Sequence, residues 1–187
     1  MTYTKGNYYH IYNRGCNKEP IFFKEDHYRF LIKLLEENIQ FYHIKMLAYC
    51  LMPNHYHFLA KQTTDDSISN MLRYVFNTYT QKINAKMERT GTLFEGRAKH
   101  ILIDKEEYLA HVMRYVHLNP VKAGLVASPE EWKYSNYLEC IGKRKSSMFD
   151  EETLKLIFGN YQEYETFVMD YKDSLEIENK CNKYLMD

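Results

Sequence analysis

Cysteine is scarce in this sequence, and long apolar runs are missing from it. The 187 residues include four cysteines, at positions 16, 50, 140 and 181, and none of them forms a C-x-x-C pair. This argues against a disulfide scaffold. The first residues lack the apolar core of a signal peptide, and no run of about 18 apolar residues is present to span a membrane. We therefore expect a reduced, cytoplasmic protein without a membrane segment, long enough for one domain and an extension.

Net charge is also absent, because 25 basic residues balance 25 acidic ones. The charges are nevertheless separated along the chain: residues 1–145 hold 21 Lys and Arg against 15 Asp and Glu, whereas 146–187 hold 4 against 10. A basic body that is rich in Tyr and Phe can bind phosphates and stack bases, although such residues also cover ordinary solvated surfaces. We expect the acidic tail to be a solvated helix rather than a nucleic-acid mimic that folds over the basic surface.

The motif that organises the chain is a pair of histidines, His55 and His57, inside an apolar run. Side chains at i and i+2 of a strand leave the same face, so both imidazoles would point the same way and suit one shared metal ion. Tyr56 and Phe58 would then point to the opposite face. A His-x-His pair by itself is more often two hydrogen-bonded, partly buried histidines, so a metal site needs support from a second group of residues.

The order of the predicted elements indicates an α+β fold of the ferredoxin-like type. Periodicity and caps predict strands at 8–13, 44–52, 55–62 and 99–103, a helix at 27–41 after an Asp26 cap, and a helix from the cap Ser67 to Gly91. Pro53 and Asn54 suit the centre of a tight turn between the second and third strands. In this βαββαβ arrangement the first and third strands of the antiparallel sheet are central, and two helices cover one face. The histidines would lie on the other face.

A third helix is predicted to cover that open face. Asp104 and Glu107 form a capping box, and the helix should end near Asn119 because Pro120 disfavours helical geometry before it. Tyr115 and Asn119 are four residues apart, so they share one side of this helix, and that side could face the histidine pair.

These residues together suggest phosphoryl-transfer chemistry. A metal ion on His55 and His57 would take the Asn119 carbonyl oxygen as a hard third donor, which favours Mg²⁺ or Mn²⁺. The Tyr115 hydroxyl could then attack phosphorus. Taken singly, Tyr115 is better explained as an ordinary residue of an amphipathic helix. The rival Tyr161 lies in the acidic tail, where a phosphodiester would be repelled, and Tyr74 and Tyr79 lie on the helix expected behind the sheet.

Three blocks of sequence resemble one family. They are LMPNHYH at 51–57, GTLFEGR at 91–97 and RYVHLNPVKAGLV at 114–126. Over roughly residues 7–140 they resemble the IS200-like transposases, and most closely the REP-associated tyrosine transposases. The resemblance implies a single-tyrosine HUH nuclease in which His55 and His57 bind the metal, Asn119 is the polar residue four after the nucleophile, and Tyr115 is the nucleophile. Phe94-Glu95 stands where the family usually has Trp-Gln.

The resemblance also implies the reaction and its partners. We expect cleavage and rejoining of single-stranded or hairpin DNA through a 5′-phosphotyrosine, with Mg²⁺ or Mn²⁺ as cofactor and a monomer or homodimer as the active unit. The catalytic domain is predicted at 1–145, and 146–187 as a helical extension. Candidate DNA contacts are the basic residues Arg14, Lys82, Lys86, Arg89, Arg97, Lys99, Arg114 and Lys122.

Two other functions fit the same residues. One is a non-catalytic nucleic-acid-binding domain, in which the aromatic side chains stack bases and the histidines are spectators. The other is a zinc hydrolase, which lacks a convincing set of His, Cys or carboxylate ligands in this chain.

Overall fold

One antiparallel sheet forms the centre of the fold. The computed structural model describes residues 3–65 and 67–170. Within these ranges the strands are β1 (Tyr8–Arg14), β2 (Ile44–Met52), β3 (His55–Gln62) and β4 (Lys99–Ile103), in the spatial order β2-β3-β1-β4. All neighbouring strands are antiparallel. This confirms the predicted arrangement with the first and third strands in the centre, and only β1 differs from its predicted limits, by one residue.

A two-residue turn at Pro53 and Asn54 fixes the register of the histidine strand. Met52 pairs with His55 and Cys50 pairs with His57, as a turn of this length requires. The chain after β1 holds the turn in place, because the Gly15 N–H donates to the Asn54 carbonyl oxygen at 2.7 Å. The direction in which both histidines point therefore follows from local sequence.

Helices α1 (Glu25–Ile39) and α2 (Ser67–Lys86) cover one face of the sheet, where Tyr56 and Phe58 are buried beneath them. Three predicted limits of these two helices were wrong. Helix α1 ends at Ile39 rather than at 41. The N-cap of α1 is Lys24, which makes no side-chain capping hydrogen bond. Asp26 lies in the first turn, where its negative charge interacts favourably with the positive end of the helix dipole. Helix α2 ends before Gly91 because Glu88 adopts φ 51° and the Arg89 N–H donates to the Asn84 carbonyl oxygen. The Ser67 side chain, the predicted cap, lies outside the described part.

Helix α3 (Leu109–Lys122) covers the other face, as predicted, but its limits differ. A 3-10 turn at Glu106–Tyr108 precedes it, and its N-cap is Tyr108 rather than Asp104. The helix also continues past Pro120. A proline this close to the end removes only one intrahelical donor, and the Ala123 N–H still reaches the Asn119 carbonyl oxygen at 2.9 Å.

Residues 146–170 contain two helices, which are not simply solvated. Short α4 (Tyr137–Cys140) is followed by α5 (Glu151–Phe158) and α6 (Tyr161–Met169), and both later helices pack in the same cluster as α3. Leu154, Tyr164 and Val168 are fully buried there. The expectation of a solvated helix is therefore wrong for 146–170, and residues 171–187 of the predicted extension lie outside the described residues. No helix in the described ranges has the length and apolar character to cross a membrane.

Candidate active site

The two histidines of β3 lie on the sheet face that α3 covers. His57 is completely buried and His55 is partly exposed, with their ring centroids 5.0 Å apart. Tyr56, between them, points into the helical layer on the other face and stacks on Phe76. The alternation of the strand has thus separated the polar pair from the apolar core, as the sequence predicted.

Hydrogen bonds orient both imidazoles through their Nδ1 atoms. His55 Nδ1 donates to Asn54 Oδ1 at 2.7 Å, which leaves a lone pair on Nε2 when the ring is neutral. His57 Nδ1 shares a proton with His10 Nε2 at 3.0 Å, and His57 Nε2 is buried without a hydrogen-bond partner. If His57 holds the shared proton, its Nε2 also presents a lone pair. Both rings are then oriented as metal-binding histidines commonly are.

Burial keeps both rings neutral. Desolvation lowers the pKa of His55, and the Arg14 cation lowers this pKa further, although the Asn119 side chain opposes the shift. Desolvation lowers the pKa of His57 well below its usual value, and the neighbouring His10 and His55 add to this. A neutral imidazole is the form that binds a metal ion, so both side chains are in the required state near neutral pH.

Helix α3 places Tyr115 and Asn119 against this pair. The Tyr115 ring centroid lies 5.5 Å from that of His57 and 5.9 Å from that of His10, with nearly perpendicular planes. Asn119 Oδ1 lies 3.5 Å from His55 Nε2, while Asn119 Nδ2 donates to the Tyr115 carbonyl oxygen. The predicted proximity of these two α3 residues to the histidines is therefore present in the fold.

The donor atoms fit a divalent cation. His55 Nε2, with its lone pair, faces Asn119 Oδ1, so two electron-pair donors oppose each other at 3.5 Å. Atoms that bind one ion at about 2.1 Å are separated by roughly 3 to 3.5 Å, so this distance suits a shared ion. With the shared proton on its Nδ1, His57 would supply a third donor through its partnerless Nε2. No group of three or more His, Cys, Asp or Glu that could hold a metal ion occurs in the described parts of the chain, so the site depends on the Asn119 amide oxygen to complete its donor set.

Two residues of this site were not predicted from the sequence. His10 and Tyr12 are alternate residues of β1, and their rings lie 5.2 and 6.3 Å from that of His57. They share the histidine face because Tyr12 pairs directly with His57 across β1 and β3. The sequence contains a pattern that predicts this: once β1 and β3 are placed side by side in antiparallel register, the alternation of side chains along β1 puts His10 beside His57.

Comparisons with known proteins identify the family of this chain. The model of a family described as transposase IS200 like matches residues 3–119, which include the histidine pair and reach Asn119. This chain belongs to the IS200-like transposase family.

Two relatives of this IS200-like chain add detail. A Haemophilus influenzae protein named as a REP-associated tyrosine transposase is 25% identical over 112 residues, which cover 54% of this chain and 64% of the relative's length. The solved structure of a REP-associated tyrosine transposase bound to a REP hairpin superposes with a TM-score of 0.65. That comparison has 16% identity and covers 81% of this chain and 95% of the other, so it establishes the shared fold.

The competing tyrosines of this IS200-like chain are engaged elsewhere. The Tyr161 hydroxyl donates to Glu151 in the α5–α6 region. The Tyr79 hydroxyl is buried behind the sheet and donates to the Ile21 carbonyl oxygen at 2.7 Å. Neither is near the histidine pair, so Tyr115 is the better placed nucleophile.

Three of the predicted DNA contacts surround the site. Arg14 pairs with His55 across the sheet and forms an ion pair with Glu95 at 2.7 Å. Lys99 is exposed and pairs with Tyr12, so it shares this face at the β4 edge. Lys122 Nζ lies 5.6 Å from the Tyr115 ring centroid. These cations would lie close to a phosphate bound at the histidines.

The other five candidates are not at this face. Lys82 and Lys86 are exposed on α2, behind the sheet, and Arg89 stacks on Phe23. Arg97 is exposed in the link before β4. Arg114 was wrongly included among the DNA contacts, because it is 7% exposed and its guanidinium stacks on Phe167 at 4.4 Å.

Proposed function

We propose that this chain is a metal-dependent, single-tyrosine transposase that cleaves and rejoins single-stranded or hairpin DNA through a 5′-phosphotyrosine. The convergence of four side chains carries the proposal. Tyr115 lies against His57, and Asn119 lies 3.5 Å from His55, all within one chain. Membership of the IS200-like family supports the same class of reaction.

The histidines and Asn119 would hold the metal ion. His55 and His57 would bind through Nε2 and Asn119 through Oδ1. When bound, Mg²⁺ or Mn²⁺ would withdraw electron density from the scissile phosphate and so assist attack on phosphorus. The protein contributes orientation: Asn54 and His10 fix the two rings through Nδ1, and burial keeps the rings neutral.

Tyr115 would supply the nucleophile. Its hydroxyl oxygen forms a bond to phosphorus while the bond from phosphorus to the 3′-oxygen breaks, which gives a 5′-phosphotyrosine and a free 3′-hydroxyl. The phenolic proton leaves to solvent, and the departing oxygen takes up a proton. Attack by another 3′-hydroxyl reverses the step, rejoins the strands and restores Tyr115. Lys122 places a positive charge beside the Tyr115 ring. It would stabilise the negative charge that builds up on the phosphate oxygens during attack.

Single-stranded or hairpin DNA is the proposed substrate because one structural relative holds a REP hairpin and three cations surround the site. Those cations are Arg14, Lys99 and Lys122. We further propose that each chain uses its own tyrosine, because α3 packs on the sheet that carries the histidines. We assign catalysis to residues 1–145, with 146–170 supporting α3 by packing.

Cleavage by histidine variants tests this proposal. His55→Ala and His57→Ala should lose Mg²⁺-dependent cleavage of labelled hairpin and single-stranded oligonucleotides, because each removes one metal donor. Their DNA affinity and circular dichroism should stay close to wild type. The matched control is His43→Asn, which changes an exposed histidine at φ 51°, a conformation that asparagine tolerates, and it should cleave normally.

Full cleavage by either alanine variant would refute the site. Binding without cleavage by the wild-type protein, over a wide set of hairpins and both metals, would favour a non-catalytic DNA-binding domain.

A further inference from the structure

A second polar pocket lies on the opposite side of the sheet from the histidines. It is enclosed between α2 and the segment 94–100 and has a volume of about 580 Å³. Small-molecule sites are usually roughly 300 to 1,000 Å³, so this pocket can hold a nucleotide. The six lining residues that matter here are Asn13, Tyr56, Arg73, Phe76, Phe94 and Arg97.

The floor of this α2–β4 pocket has an unsatisfied polar group. The Tyr56 hydroxyl is buried and makes no hydrogen bond of normal geometry. The neighbouring Asn13 interacts with this hydroxyl and lowers its pKa, but outside normal hydrogen-bond geometry; its Nδ2 also donates to the Gly96 carbonyl oxygen and its Oδ1 accepts from the Arg14 N–H, both at 3.0 Å. A buried hydroxyl without a partner is unfavourable, and the polar edge of a ligand would satisfy it.

The wall of the pocket is aromatic and its rim is basic. Phe76 and Phe94 meet edge to face at 5.3 Å, and Tyr56 stacks on Phe76 at 4.5 Å. Arg73 and Arg97 are exposed at the rim, and within the described ranges neither forms an ion pair with a carboxylate. Rings for stacking beside cations for phosphate are the features that bind single-stranded nucleic acid.

The pocket is adjacent to the candidate active site. Asn13 pairs with Tyr56 and faces the pocket, whereas its neighbours in β1, Tyr12 and Arg14, pair with His57 and His55 and face the active site. Only the thickness of β1 separates the two sites at this end of the sheet. A DNA strand that leaves the histidines beside Arg14 can pass Arg97 and enter the pocket.

We propose that the α2–β4 pocket binds one nucleotide of the single strand that flanks the cleaved phosphate. The base packs against Phe76 and Phe94 and hydrogen-bonds to the Tyr56 hydroxyl, and the adjoining phosphates lie between Arg73 and Arg97. This inference rests on the proposed function, because it takes the ligand to be part of the DNA substrate. Its consequence is that one position of the flanking strand contributes to recognition from the far side of the sheet.

An abasic scan tests the pocket. The probe is the tightest-binding DNA hairpin selected from a pool with randomised single-stranded arms, and its affinity for the full chain is measured by fluorescence anisotropy. Loss of a stacked base should weaken wild-type binding by about 10- to 100-fold at one arm position. The Asn77→Trp side chain should fill the pocket from its exposed rim on α2. This variant should therefore bind the intact probe more weakly than wild type, to a similar extent. The same abasic substitution should then have little further effect.

The matched control is Gln81→Trp, an exposed position one turn further along α2, which should respond like wild type. A second measurement avoids any dependence on a variant's folding: 5-iodo-deoxyuridine at the sensitive position should crosslink to peptides that contain Phe76 or Phe94. Equal abasic responses in wild type and Asn77→Trp, or crosslinks only to α3, would overturn the inference. Tight binding of free deoxynucleoside monophosphates, without any sensitive arm position, would also overturn it and indicate a free nucleotide as ligand.

The covalent Tyr115 adduct is measured on the same probe. If the adduct forms but Asn77→Trp responds to the abasic substitution as wild type does, the pocket proposal is refuted and the catalytic function stands. Coupling without any adduct refutes the proposed catalytic function and leaves the pocket as a binding site.

Discussion

Replacement of His10 should weaken metal binding although His10 does not face the ion. Its Nε2 lies 3.0 Å from Nδ1 of His57, which is completely buried. A metal ion on His57 Nε2 requires the shared proton to be on Nδ1, so His10→Leu would leave that Nδ1–H without its acceptor in the metal-bound state. An unsatisfied buried donor costs about 1–3 kcal/mol, which corresponds to roughly 5- to 150-fold in an equilibrium constant. Loss of the hydrogen-bond partner of a metal-binding imidazole typically costs about 10- to 100-fold in metal affinity, a range that lies within the one calculated for the unsatisfied donor.

The assay is a Mn²⁺ titration of the full chain near neutral pH, followed by electron paramagnetic resonance of the free ion. His10→Leu should bind Mn²⁺ about 10- to 100-fold more weakly than wild type. His10→Gln, whose amide oxygen can accept the same proton, should recover most of the affinity. His100→Leu is the matched control, since it changes a histidine of β4 that lines the pocket on the opposite face. A folded His10→Leu protein with wild-type Mn²⁺ affinity would refute the positioning role.

Three further predictions concern stability and DNA binding. His117 is buried and its pKa is lowered from 6.5 to about 4 by desolvation, so it should contribute a loss of about 3 kcal/mol of stability as the pH drops between these values. In urea unfolding, His117→Gln should reduce the pH dependence by this amount and leave the part that comes from His55 and His57. Lys122→Gln should weaken DNA binding and reduce the salt slope by about one, whereas Arg114→Gln should leave the slope unchanged and lower the unfolding midpoint. A fragment of residues 1–145 should unfold at lower urea than 1–170, because it loses the buried side chains of 146–170; equal midpoints would contradict this packing.

The sheet could be predicted from the sequence because its determinants are local. The alternation around His55 and His57 sets which side chains share a face, and the Pro53-Asn54 turn sets the register. The limits of helices were harder, since they depend on contacts distant in sequence. Pro120 remains helical within a packed last turn. Glu88 ends α2 in a left-handed conformation, which is not expected for a glutamate.

The site was predictable where one element carried the pattern and not where two elements meet. The spacing of Tyr115 and Asn119 predicts their shared side of α3, and the fold places that side at the histidines. His10 was missed because its role arises only from the pairing of β1 with β3. Arg114 was misassigned because its charge suggested exposure, whereas packing of α6 buries it on Phe167.

Catalysis by this site requires that the Tyr115 hydroxyl becomes covalently joined to DNA. Wild-type protein with Mg²⁺ or Mn²⁺ and a cleavable hairpin or single strand should give a protein–DNA band that survives denaturing electrophoresis and maps by mass spectrometry to the peptide containing Tyr115. Tyr115→Phe keeps the ring and its contacts with His57 and His10, so it should bind metal and DNA normally and form no adduct. An adduct that persists in Tyr115→Phe, or that maps in the wild type to Tyr161 or Tyr79, would contradict the account.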